Sequence, residues 1–278
     1  MRNKICFVAI FISLFSCNTN YRYIYTASPA NNPYFTKKGE SKLTADYSSS
    51  SNIRPVNKYA AGIDLQAAYA LSHHWALASA YYNRREKDVF SFIKNGPFES
   101  TVVRYKRNLF DIGGGYFVSL NKRETITFNF YGGMSFGEFS FTDNGIDSSG
   151  AGYSRYHNNG ITRWFFQPSF NFMPGEYVRF SYATKFSSVH YGDVQTSYTP
   201  QQLKYLYLNK VDNNTFVFIE PSINVQFGLP EIPWLNLDAG MSWTSNPFNV
   251  LIFSNAVKVR SVNSSIGLNF DFSKMKKK

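Results

Sequence analysis

Along most of the chain, apolar and polar residues alternate one by one. In 125–137, Ile126, Phe128, Phe130, Met134 and Phe136 share one parity, and Thr125, Thr127, Asn129, Tyr131, Ser135 and Gly137 share the other. In 161–172, Trp164, Phe166, Phe170 and Phe172 oppose Arg163, Gln167, Ser169 and Asn171. In 217–227, Val217, Ile219, Ile223, Val225 and Phe227 oppose Glu220, Ser222, Asn224 and Gln226. A period of two marks a strand with two unlike faces. The pattern predicts ten strands, at about 41–49, 59–71, 75–88, 102–119, 124–141, 161–173, 176–190, 215–228, 234–245 and 256–272. Several exceed the roughly 9–11 residues that a strand needs to cross a bilayer.

The links between these strands alternate in length. Ser72-His73-His74, Asn121-Lys122-Arg123, Pro174-Gly175 and Leu229–Pro233 are short, whereas 50–58, 89–101, 142–160, 191–214 and 246–255 are long. Short periplasmic turns and long outer loops are the habit of up-and-down outer-membrane barrels, whose apolar face meets lipid and whose polar face meets the lumen. A soluble sandwich has no reason to sort its loops so. The expected fold is therefore all-β, a transmembrane antiparallel up-and-down barrel of about ten strands, with both termini in the periplasm.

Composition narrows the alternatives. Phe (27) and Tyr (20) far exceed Trp (4), which favours pleated surfaces. No run of about 20 apolar residues exists, so no transmembrane helix is expected. Two cysteines cannot staple a disulfide scaffold, and 18% aromatic residues argue against disorder. The net charge of +11 includes Arg2 and Lys4 at one end and Lys274, Lys276, Lys277 and Lys278 at the other. Nucleic-acid binding needs a basic patch on one face and sits badly with an exported barrel. The lysine tail is expected to be solvated and close to anionic lipid head groups.

Both ends carry address-like motifs. Met1-Arg2-Asn3-Lys4 is a basic n-region, Ile5–Leu14 is an apolar run, and Leu14-Phe15-Ser16-Cys17 resembles a lipobox. That resemblance implies a signal peptide over 1–16 and a covalent acyl lipid on Cys17, with no other cofactor. Residues 18–40 are polar, contain Pro29 and Pro33, and lack a period. They read as part of a periplasmic tether spanning 17–40. At the other end, Ser265-Ile266-Gly267-Leu268-Asn269-Phe270-Asp271-Phe272 resembles the C-terminal β-signal of outer-membrane barrels, with Gly267, Phe270 and Phe272 at its fixed positions. The six residues Ser273–Lys278 beyond it depart from that pattern. The resemblance implies handling by the barrel-assembly machinery. Taken together, the chain resembles the small outer-membrane β-barrel lipoproteins of Gram-negative bacteria. The implied domains are 1–16 signal peptide, 17–40 tether, 41–272 barrel and 273–278 basic periplasmic tail. The resemblance brings a fold and a location but no catalytic motif.

Lumen parity collects Asp64, Asp111, Arg163, Arg179, Lys185, Glu220 and Asp238, together with Asp46, Arg107, Arg260 and Asp271. Charges of both signs in a narrow barrel are expected to pair and to plug it. Candidate catalytic pairs are His190 with Asp193 and His157 with Asp147, but neither carries the signature of an omptin-type protease. His73-His74 is a weak metal candidate, because adjacent residues of an extended chain point apart. Gly113-Gly114-Gly115 inside a strand suggests bending or close packing. Pro168 and Pro221 suggest bulges. Tyr153 and Tyr156 in 142–160, and Tyr198, Tyr205 and Tyr207 in 191–214, could form a binding surface or contact lipopolysaccharide. The expected function is that of a non-enzymatic accessory subunit of an outer-membrane complex or a surface-binding scaffold. The alternative is a narrow small-solute porin, and an omptin-type hydrolase is a third reading.

Overall fold

The computed structural model describes residues 22–51, 59–93, 98–147, 149–247 and 258–275. Cys17, the signal segment 1–16 and Lys276, Lys277 and Lys278 lie outside the described residues. The strands are β1 (Tyr23–Thr26), β2 (Ser41–Ser51), β3 (Tyr59–Ala70), β4 (Trp75–Ile93), β5 (Phe98–Ser119), β6 (Ile126–Ile146), β7 (Gly152–Gly175), β8 (Val178–Thr196), β9 (Asn214–Leu229), β10 (Ile232–Trp243), β11 (Lys258–Arg260) and β12 (Val262–Asp271). One short helix, α1 (Pro200–Tyr205), follows β8.

Ten of these strands, β2 to β10 and β12, close into one barrel. The closing seam runs antiparallel from Val262↔Ser51 to Asp271↔Lys42. Closure leaves no sheet edge, so every strand finds a ladder on both sides. The two remaining strands, β1 and β11, pair with each other in parallel away from the wall.

The wall follows the period-two pattern. Trp164, Phe170, Phe172, Phe136, Ile112, Tyr47 and Ile266 stand outward and exposed, while Asn129, Ser135, Arg163, Ser169 and Asn171 point inward and are buried. A β-sheet whose exposed face is the apolar one makes sense only where lipid, not water, is the solvent.

Three expectations change. The long links are partly strand: β4 and β5 reach Ile93 and Phe98, and β6 and β7 are joined through 147–151 alone. Tyr153 and Tyr156 therefore lie on β7 rather than in a loop. Second, Pro168 and Pro221 make no bulge. The β7–β8 pairs resume at Ser169↔Ala183 in the register of Phe166↔Phe186, and Pro221 stays opposite Thr184. A missing N–H removes ladder bonds without moving the frame.

The third change concerns the tether. Residues 22–35 do not hang free; they run through the lumen. Arg22 Nη2 donates to Asp143 Oδ2 at 2.5 Å, and Asp143 lies near the end of β6 that leads into a long link. Further along, Tyr82 donates to the Pro29 carbonyl at 3.1 Å and Asn129 to the Pro33 carbonyl at 2.9 Å. Tyr34 donates to the carbonyl of Glu124, in the short turn between β5 and β6. The segment thus descends from the long-link end to the short-turn end before β2 begins. The C-terminal side of β12 meets Lys42 at the short-turn end. The two described ends of the chain therefore lie at opposite ends of the barrel, against the expectation that both sit together.

Packing explains why the segment stays. Ile24 and Tyr25 are buried among Phe139, Phe141, Tyr191 and Phe218 in one apolar cluster. The Tyr25 and Phe218 rings stack 4.2 Å apart. Phe35 packs with Phe117 and Tyr131 in a second cluster near the short turns.

Candidate functional site: the filled lumen and its rim

The charges of the lumen form three layers around the threaded segment. At the long-link end, Asp143 accepts from Arg22, from Thr101 and from Tyr198. Burial, and then the Asp143 carboxylate, push the Tyr198 phenol up from its usual range. Beside this group, Glu86 accepts from Thr26 at 2.7 Å, from Arg107 at 3.0 Å and from Arg260. Arg260, carried on β11, also reaches Asp88 at 2.9 Å.

The middle layer centres on Arg163. Its guanidinium grips both oxygens of Asp111 at 2.6 and 2.7 Å, and it also donates to Ser135 at 2.9 Å and to the Tyr25 hydroxyl at 2.8 Å. Lys185 lies 3.4 Å from Asp111. Glu220 accepts from Ser187 at 2.9 Å and from Tyr25 at 3.2 Å. Asp111, Arg163, Lys185 and Glu220 are thus gathered from β5, β7, β8 and β9 into one network, and Tyr25 of the threaded segment joins its two halves.

The remaining inward residues occupy the lower lumen and the β3–β4 wall. Asp64 binds Arg84 and Ser48. Asp238 accepts from Asn224 and from Gln226, the latter at 2.7 Å. Arg179 donates to Gln226 at 2.8 Å and covers the Tyr34 ring at 4.4 Å. Lys42 lies 3.5 Å from Asp271. A small polar cavity remains between the segment and Asp46, Arg179, Asn224 and Asp238.

Each lumen residue singled out from parity is buried: Asp64, Asp111, Arg163, Arg179, Lys185, Glu220 and Asp238. Arg22, Lys42, Arg84, Glu86, Asp88 and Asp143 are buried too but were missed. In Asn83-Arg84-Arg85-Glu86-Lys87-Asp88, both parities are polar, so alternation is silent there. Counting in twos from the outward Trp75, Leu77 and Tyr81 would have assigned the even positions to the lumen.

The candidate catalytic pairs do not converge. His157 is buried 3.1 Å from Asp212, not beside Asp147. Asp147 caps its own exposed turn, and hydrogen bonds from Ser149 and Ala151 hold its carboxyl below the usual range. His190 is exposed and lies 3.2 Å from the Thr215 hydroxyl. His74 faces the Phe117 carbonyl at 3.3 Å. No group of three or more His, Cys, Asp or Glu among the described residues is arranged to hold a metal.

The glycines admit the lumen filling. A Cβ on Gly115 would stand 2.3 Å from the Tyr131 ring, and one on Gly133 would stand 2.2 Å from the Ile112 carbonyl. On β12, Gly267 lies against Asp46 of β2 at the seam, where a Cβ would meet the Ala45 carbonyl at 2.1 Å. The Phe270 ring lies 6.2 Å from Trp234, and Phe272 is partly exposed where the barrel ends.

No family model matches the chain, and no curated protein matches it by sequence. Among solved structures it is similar to the outer membrane protease OmpT from Escherichia coli, at 11% identity and a TM-score of 0.47, over 87% of this chain and 99% of that one. It is also similar to the outer membrane protein OprG from Pseudomonas aeruginosa, at 11% identity and a TM-score of 0.37, over 87% and 99% of the two chains. The attachment invasion locus protein Ail of Yersinia pestis matches at 12% identity and a TM-score of 0.32, over 84% and 99%.

Proposed function

We propose that the protein is an outer-membrane barrel that serves as a closed binding scaffold, either as an accessory subunit of a larger complex or as a surface receptor. The observation that carries this reading is the threaded segment. Residues 22–35 fill the lumen from one end to the other, and their partners include the paired charges of the wall. A channel needs a continuous wet path, and a hydrolase needs groups that converge on a water at the rim. The described residues instead spend their charges on one another. What is left to act is the rim at the long-link end, where Tyr156 and Tyr205 stand exposed and Arg155 covers the Tyr153 ring at 4.2 Å. Tyr offers a large contact area at low entropic cost.

The acyl group expected on Cys17 belongs to the same reading. Arg22 lies five positions after Cys17, and an extended chain spans at most about 3.6 Å per residue. A lipid there reaches only the leaflet on the long-link side. The test is electrical. The purified barrel in a planar bilayer is expected to give no single-channel steps, and stable steps of constant size would replace the scaffold with the porin.

A further inference from the structure

Four cations stand together on the outer wall. Arg85 and Lys87 of β4 lie directly opposite Lys106 and Arg104 of β5. Arg85, Arg104 and Lys106 are exposed, whereas their neighbours Arg84, Glu86, Tyr105 and Arg107 turn into the lumen. Like charges placed opposite each other across a ladder destabilise it. Among the described residues, no ion pair and no side-chain hydrogen bond relieves any of the four. The nearest acid by register is Glu138, which faces Asn108 rather than a cation. The lumen consumes its own charges, but this patch does not.

Its height gives it meaning. Below it on the same two strands lie Trp75, Leu77, Tyr81, Phe110 and Ile112, all exposed and apolar. Between the two zones, Asn83 donates to Asn108 at 2.7 Å. From Trp75 to Arg85 is ten residues along β4. At about 3.3 Å per residue and the usual strand tilt, that is about 25 Å along the barrel axis, the height of the apolar band on such barrels. The cations therefore stand at the head-group level on the long-link side, directly above a wall suited to acyl chains.

Building on the membrane reading above, we infer that Arg85, Lys87, Arg104 and Lys106 form a binding site for a phosphorylated lipid. Its phosphate sits among the four cations and its chains lie along Tyr81, Phe110 and Ile112. The lipid supplies the negative charge that the ladder lacks.

The full chain is inserted into phosphatidylcholine vesicles containing lipid A, or the same lipid stripped of its phosphates. It is then extracted gently, and the retained lipid is measured by native mass spectrometry. The wild type is expected to keep lipid A, to lose it as salt rises, and to discard the stripped lipid. R85Q, K87Q, R104Q and K106Q are expected to weaken retention by about five-fold for each cation removed, and R85K with R104K to restore most of it. Equal retention by the wild type and the fourfold variant overturns the site, as does retention of the stripped lipid. If the fourfold variant does not fold, the salt and stripped-lipid arms decide on the wild type alone. Failure to insert into plain phosphatidylcholine overturns the membrane reading itself; insertion without discrimination overturns only this site.

Discussion

Arg163 shows how a single side chain closes the lumen. It is fully buried, and its five donors serve Asp111, Ser135, Tyr25 and Ser28. Burying such an ion costs several kcal/mol, which is recovered only because its hydrogen bonds are nearly complete. Arg163→Met leaves Asp111 with Lys185 alone as its cation. It is expected to lower stability by about 3–5 kcal/mol in urea unfolding from lipid vesicles. Arg163→Lys keeps the charge but loses the fork, so its loss should be smaller. If Arg163→Met unfolds at the wild-type midpoint, the network does not hold the core. This residue was legible from parity, because Trp164, Phe166 and Phe170 hold the opposite parity on the same strand. Arg84, Glu86 and Asp88 were not, because Arg85 and Lys87 between them are charged as well. Two-faced patterning loses its contrast wherever the outer wall rises out of lipid and is no longer required to be apolar. The His157–Asp212 contact was hidden for a different reason. It joins β7 to the turn before β9, and no local period reports a contact between residues so far apart in sequence.

Among the elements, the ten barrel strands were readable and their upper ends were not. Membrane strands announce themselves by alternation, but the tops of β4 to β8 extend beyond the band, where both faces may be polar and hairpins continue by ladder bonds alone. The glycines of β5 allow a sharper test. Gly115 faces the lumen and gives its volume to the Tyr131 ring, whereas a Cβ on Gly114 finds nothing nearer than 3.6 Å. Gly115→Val is expected to destabilise the barrel by about 1–3 kcal/mol through overpacking. Gly114→Val, on the outward parity, should cost far less. The comparison is made by unfolding midpoints of the two variants, and equal midpoints would show that the β5–β6 wall relaxes around either side chain. The threaded segment was the element least open to reading. Its period is missing because it has no solvent face: from Ile24 to Ala27 every residue is buried, so no polar side alternates with an apolar one. Pro29 and Pro33, read as marks of a loose linker, instead leave their carbonyls to accept from Tyr82 and Asn129.

At the scale of the whole molecule, the threading sets Arg22 and the C-terminal end of β12 at opposite ends of the barrel. A protease site inserted just ahead of Arg22 is expected to be cut from outside intact cells, and one placed after Lys274 only once the outer membrane is opened. Cleavage of both sites from the same side would return the segment to the periplasm and remove the basis for the leaflet assigned to Cys17. The threading has one more consequence, for the order of events during biogenesis. A chain that passes down the lumen before it enters the wall cannot be pushed through a finished cylinder already crowded with side chains. It must be laid along the open sheet while β2 and β12 are still apart, and the ladder from Val262↔Ser51 to Asp271↔Lys42 must zip last. The barrel is wrapped around residues 22–35 of its own chain, and the seam is the lid of the parcel.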